Sequence, residues 1–296
     1  MTNNFLTPSI IAKEMLMLLK ANTVMSQLIH KDFSKEFVAK IGDTITIRKP
    51  ATFSVKDFNG STEDQEISEE STTIVMDKFY DVSTSVTSKE MALSIEDFGE
   101  QVLKPIVDAF VQKIDTDILA VASGATSRID KTDNAVNDIV ELRKELQTNK
   151  APVNDRALVV SSNFEASMLK DPTFINADKV GDNGTALREA SLGRKFGLNI
   201  YADQNADDVA NLEALAFHKN AIGMVTRPLE TPMGASKVAV ESFDGFSLRV
   251  VYGYDMKTKT DKISVDMLCG YKLLRPELAS VLVTPTVKTD ESTPKK

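Results

Sequence analysis

A single cysteine and two histidines are all the thiol and imidazole chemistry this chain carries. Cys269 cannot close an internal disulfide, and its apolar neighbours Met267 and Leu268 predict a small buried hydrophobe in a reducing compartment. His30 and His218 are far apart on different kinds of element, with no carboxylate at metal-ligand spacing beside either. Neither a metal centre nor a serine–histidine pair can be assembled from them. Glycine motifs are missing as well: no phosphate loop, no dinucleotide turn and no nucleophile elbow. Gly181-Asp182-Asn183-Gly184 precedes a helical stretch, but its aspartate opposes a phosphate, so it reads as a plain loop. Asp203-Gln204-Asn205-Ala206-Asp207-Asp208 imitates the first ligands of a calcium loop, yet Asp208 stands where glycine is required and Ala214 where the bidentate glutamate belongs. No catalytic, cofactor-binding or metal-ligating residue is expected.

Long hydrophobic runs are absent too. No stretch reaches the roughly 18 apolar residues of a membrane span, and Met1 to Pro8 lack the basic start and apolar run of a signal peptide. Positive charge is also in deficit. With 35 Lys and Arg against 43 Asp and Glu, the net charge of -8 argues against a surface built to grip a phosphate backbone, barring a locally basic patch, so any nucleic acid nearby is expected to be touched weakly and non-specifically.

What is present is a change of hydrophobic period along the chain. Thr7 or Ser9 can cap a helix, Pro8 suits its first turn, and Ile10, Ile11, Met15, Leu18 and Leu19 recur at helical spacing, predicting an amphipathic helix from Ser9 to Asn22. From Ile41 the period becomes two, through Thr44 to Lys49, and Phe53 and Val55 resume it after Pro50. Phe58 to Thr72 is acidic and polar, a loop tip. Ile74, Met76, Tyr80, Val82, Thr84 and Val86 then mark one face of a returning strand. Together these predict a long two-stranded arm from Ile41 to about Thr87.

At Ser94 a capping-box pattern opens a run with Ile95, Phe98, Val102, Ile106, Phe110, Ile114, Ile118 and Val121 on one stripe, a helix of about 28 residues and roughly 42 Å. Pro105 is expected to kink or restart it, and Ser123-Gly124 to stop it. The middle third alternates: a helix over 135–147, a buried strand over 157–160, a helix over 163–169, and strands over 198–201 and 214–218. The last third is extended, over 237–241, 246–254, 262–269 and 281–284, with a polar turn at 256–261 and a polar tail after Val287. The whole is α+β, with a mixed α/β centre.

A two-stranded hairpin standing alone is marginal in water, and Phe53, Val55, Phe58, Ile74, Met76, Phe79 and Tyr80 have no obvious cover in the adjoining sequence. Ile10, Met15 and Leu18 of the first helix raise the same question. These are the natural contact elements of an obligate oligomer and the candidate subunit interface.

In three places the chain resembles the major capsid (coat) proteins of tailed bacteriophages, of the coat type typified by phage P-twenty-two. They are Asn4-Phe5-Leu6-Thr7-Pro8 leading into the helix with Ala12 and Leu16, Gly42 to Pro50, and Lys89 to Phe98, in that order. The resemblance implies the Hong Kong 97-type fold: an N-terminal arm (1–40), an extended loop (41–90), a peripheral domain with a long spine helix (91–129 and 231–286) and an axial domain (130–230). It implies a virion protein that forms hexamers and pentamers of an icosahedral shell around double-stranded DNA. Assembly would take place in the host cytoplasm with a scaffolding protein and a portal, and with room for a decoration protein. The chain is too short for the prototype's inserted domain and has no long N-terminal segment to serve as an internal scaffold. An encapsulin-like nanocompartment shares the fold, and an α/β enzyme working through a loop such as Ser161-Ser162-Asn163 is the reading from a different class.

Overall fold

The computed structural model describes residues 8–31, 44–48, 71–87, 99–175, 193–233 and 237–285, with 55, 57 and 60 singly. In chain order it contains helices α1 (Pro8–Asn22) and α2 (Met25–Leu28), then strands β1 (Thr44–Arg48), β2 (Ser71–Val75) and β3 (Lys78–Thr87). A π-helical turn (Gly99–Leu103) runs into α3 (Lys104–Ala122), followed by β4 (Ser127–Asp130), α4 (Ala135–Thr148), β5 (Arg156–Val160), α5 (Ser162–Lys170) and α6 (Pro172–Ile175). The remaining strands are β6 (Arg194–Lys195), β7 (Leu198–Ala202), β8 (Leu212–His218), β9 (Ile222–Arg227), β10 (Lys237–Phe243), β11 (Phe246–Asp255), β12 (Thr260–Leu273) and β13 (Ala279–Val283). The chain divides into two units, the first from Met1–Asn22, His30–Val111 and Gly223–Leu274, the second from Thr23–Ile29, Gln112–Ile222 and Arg275–Lys296.

The first unit is built on an antiparallel sheet in the order β10-β11-β12-β3, with β9 also pairing β12. The period-two pattern does what it predicts: Tyr80, Val82, Thr84 and Val86 take the more buried face of β3, and Phe79, Asp81, Ser83 and Ser85 the exposed one. Helix α1 lies across β10 and β11. Its buried stripe is Ile11, Ala12, Met15, Leu16 and Leu19, the i, i+4 geometry of an amphipathic helix on a sheet. Strands β10 and β11 meet at Asp244-Gly245, both at positive φ (49° and 81°), the two-residue turn whose twist suits a hairpin. Asp244 holds Lys20 at 3.2 Å and Lys31 at 3.4 Å. Burial opposes its charge, but these two ammonium groups keep its carboxyl below the ordinary range and tie the end of α1 to the turn.

Strands β1 and β2 form a separate antiparallel ribbon, with Ile45 opposite Ile74. Two expectations are corrected here. The returning segment is not one strand of a long arm: it breaks at Met76-Asp77, and β3 pairs with β12 from Lys78↔Cys269 to Thr87↔Thr260. At 14 residues β12 offers an edge long enough to capture it, which satisfies backbone groups an isolated hairpin leaves to water. Nor do all the arm's apolar residues lack cover within the chain. Ile45, Ile47, Ile74, Met76 and Val225 form one buried cluster, with Leu268 and Leu274 packed against it.

The second unit is a mixed six-stranded sheet in the order β4-β13-β8-β5-β7-β6. Its centre, β8 and β5, is buried along its whole length, which is why these strands read as continuous apolar runs. The Asn134 side chain caps α4 by accepting from the Val136 and Asn137 amides, and Ser161 caps α5 by accepting from Phe164. The boundary between the units falls inside α3, on which Ile106, Phe110, Ile114 and Ile118 form the predicted buried stripe. The helical run changes from π to α at Lys104, beside Pro105, while Ser94 to Phe98 lie outside the described residues. Strand β13, grouped by sequence with the last-third strands of the peripheral domain, instead lies between β4 and β8, because Ser280–Val283 runs parallel to Ser127–Asp130.

Candidate functional site

Among the described residues no group of three His, Cys, Asp or Glu side chains is arranged to hold a metal ion. The calcium-like loop at Asp203 serves the backbone instead, since the Asp203 carboxylate caps the 3-10 turn Gln204–Asp208 by accepting from the Asn205 amide at 3.0 Å. Cys269 is buried, its Sγ 3.2 Å from the Tyr271 hydroxyl. His218 pairs in register with Arg156 at the end of β8, and burial together with the Arg156 and Arg275 charges holds it below the ordinary imidazole range despite Asp155.

The candidate interface residues separate by burial. Ile74 and Met76 belong to the ribbon cluster and Met15 to the α1–sheet contact, so the sequence reading of these three as surface for a partner is corrected: their own chain covers them. Ile10 (49% exposed), Phe79 (53%) and Val55 stay open to solvent, and Leu18 and Tyr80 are half-buried. Phe53 and Phe58 lie outside the described residues. Sequence reasoning missed Met17, 62% exposed and seven positions from Ile10, hence on the same outer face of α1. The signal was available, since Ile11-Met15-Leu19 and Ala12-Leu16 already fill the inner face.

Two features fix the ribbon on the sheet. A Cβ added at Gly270 on β12 would stand 2.2 Å from the Val75 carbonyl oxygen and 3.0 Å from Met76 Cα, so only glycine permits this approach. Lys272 Nζ donates to the Thr73 carbonyl at 2.7 Å. On the same sheet Arg249 bonds Asp266 through Nε at 2.8 Å and through Nη2, while its Nη1 donates to the Glu230 carbonyl at 2.9 Å. Ser264 Oγ sits 2.8 Å from both Asp81 Oδ1 and Asp266 Oδ1. Burial raises the Asp81 carboxyl, but the hydroxyl hydrogen bonds from Ser264 and Ser83 and the Arg249 charge outweigh it and hold the group low. These bonds tie side chains of β3, β11 and β12 together across the sheet.

A family model described as phage capsid protein matches residues 88–265, more than half of the chain. The chain belongs to that family. This phage capsid protein also shares its fold with solved structures of low identity. A chain from Mycobacterium phage Che8 is 19% identical with a TM-score of 0.65, covering 88% of this chain and 90% of that one. A chain from the capsid structure of cyanophage P-SCSP1u is 15% identical with a TM-score of 0.67, covering 89% and 88%. A virus-like particle from Pyrococcus furiosus is 13% identical with a TM-score of 0.51, covering 92% and 97%. A search of curated proteins finds no match. The α+β capsid fold and the shell-protein reading expected from the sequence are therefore borne out. The family match favours a virion capsid subunit over the encapsulin-like alternative, and a structural protein over an enzyme.

Proposed function

We propose that copies of this phage capsid protein assemble as hexamers and pentamers into a closed icosahedral shell around double-stranded DNA. The family match over residues 88–265 carries this reading. The second unit serves as the axial domain around the capsomer centre, and the first as the peripheral domain with its N-terminal arm and extended loop. Open apolar side chains on α1 and on the exposed face of β3 support contacts with sister subunits, because such groups gain by leaving water. The net charge of -8 supports weak, non-specific contact with packaged DNA, and thus easy entry and exit. Its partners are a scaffolding protein and a portal, with a decoration protein as a stabilising addition. Assembly occurs in the host cytoplasm, and the protein catalyses no reaction.

Negative-stain microscopy of the full chain, expressed alone and with a scaffolding candidate, is expected to show closed shells. A chain that stays monomeric at high concentration under both conditions refutes the reading. Removing residues 57–70, most of the segment that the sequence reads as a polar loop tip, is expected to weaken or abolish shells; normal shells from that variant would show that this segment has no role between subunits.

A further inference from the structure

The six-stranded sheet of the second unit is polarised from end to end. Strands β4, β13, β5 and β7 run one way and β8 and β6 the other, so one end collects the C-termini of the first set and the N-terminus of β8. At that end, or in the loops leaving it, are Asp130, Asp133, Asp207 and Asp208, all exposed. Lys131 lies there too, but it is already paired with the buried Glu213 at 2.9 Å. The opposite end gathers Arg156 at the start of β5, Arg194 on β6, Lys219 after β8, Arg275 before β13, and Arg143 and Lys150 from the last turns of α4 and just beyond it. Among the described residues, Asp155 and Glu277 in these connections and Glu145 in the last turns of α4 stand against them.

The basic charges are held in place. Arg156 is buried and donates to the Ala151 and Pro152 carbonyls at 2.7 Å each. The Arg143 guanidinium lies flat over Gly197, its carbon and both terminal nitrogens at 3.8–3.9 Å from where a Cβ would be. It is close enough to Arg156 that, after burial, it is the second cause depressing that group's basicity. A fixed, half-buried guanidinium offers preorganised recognition of carboxylate.

We infer that the acidic end of this sheet in one copy docks against the basic end in the next, forming a charge-matched, head-to-tail contact around a ring. The inference rests on the ring-forming reading above and specifies which surfaces meet. A contact between two different patches is heterologous, and it closes into a ring when the rotation permits. Opposite potentials on the two patches favour this register and penalise like-end encounters.

The test uses two charge-reversed full-length chains, D130K/D133K/D208K and K150E/R194E/K219E, at low salt. Each alone presents like charges at every contact, and its assembled fraction is expected to fall about tenfold or more. Mixed in equal amounts, the two can alternate around an even-membered ring. Hexamers should return while five-membered rings, which cannot alternate, stay deficient. A chain carrying all six reversals is expected to assemble by itself yet be excluded from wild-type shells, and this variant distinguishes lost contact from lost folding. If wild type forms no closed particles, the shell reading fails and this contact with it. If wild type assembles and either triple variant assembles equally well, or if neither the mixture nor the six-fold variant recovers, the charged ends do not meet and only this inference falls.

Discussion

Ile74 decides whether the ribbon is covered by its own chain or by a neighbour. It is fully buried, it faces Ile45 across the ribbon, and its cluster includes Ile47, Met76 and Val225 of the same unit. Ile74→Ala removes buried apolar carbon atoms and leaves a cavity, at a cost of about 2–5 kcal/mol in the unassembled subunit. With a urea slope of about 3 kcal/mol per molar, the midpoint of the first unit should fall by roughly 1 M. Val75→Ala, on the exposed side of the same strand, should change stability by no more than about 0.5 kcal/mol. The chain has no tryptophan, so far-ultraviolet circular dichroism is the suitable probe. If Ile74→Ala unfolds at the wild-type urea concentration while assembled shells lose stability, the covering surface lies on a sister subunit and the intrachain account is wrong.

Gly270→Ala should force the ribbon off β12 and cost about 1–3 kcal/mol through overpacking, visible as faster amide exchange over 44–48 and 71–75; unchanged exchange would contradict the close approach. Asp115 gives a pH signature within the second unit. Its carboxylate accepts from the Val24 amide at 2.9 Å and the Met25 amide at 3.2 Å, yet burial, aided by Asp203, outweighs those bonds and pushes its pKa up to about 7. The folded chain therefore holds this proton more tightly than the unfolded one. Stability should fall as pH rises from about 4 to about 7, by about 1.4 kcal/mol per unit at most, and level off above that. Asp115→Asn should flatten this slope in denaturation followed across pH, and an unaltered slope would assign it elsewhere. Arg249→Lys loses the two-pronged bond to Asp266 and should lower the melting temperature of the first unit by several degrees, about 1–3 kcal/mol.

The second unit was the more legible in sequence because its elements are local and strongly patterned. The α4 helix and the β5 and β8 strands fall within a few residues of their predicted bounds, since caps such as Asn134 and continuous apolar runs such as Ala157 to Val160 declare themselves. The short β4 strand was not foreseen: four residues at the sheet edge, with exposed Arg128 and Asp130, carry too little periodicity. The first unit misled for a different reason. Its β3 strand alternates as an arm strand would, but β12 captures it from about 180 positions away, and no local pattern reports a partner that distant. The same holds for the cover over Ile74, part of which comes from Val225. For the first helix a demand for burial was legible but not how much of it the chain itself meets, because α1 buries most of its stripe on its own sheet and leaves Ile10 and Met17 outside.

That redistribution has a consequence for assembly. With Met15, Ile74 and Met76 committed within the chain, the open apolar groups among the described residues are fewer and scattered, each worth about 1.5–3 kcal/mol if fully buried. Contacts of that size are individually reversible, and only their repetition around a ring and across a shell makes them persistent. Ile10→Ser with Met17→Ser should therefore leave the isolated subunit within about 0.5 kcal/mol of wild type, because both side chains already face water. The critical concentration for shell formation should rise severalfold, read by light scattering against protein concentration. A large loss of subunit stability would place these two side chains in the chain's own core, and an unchanged critical concentration would move the α1 contribution to some other surface.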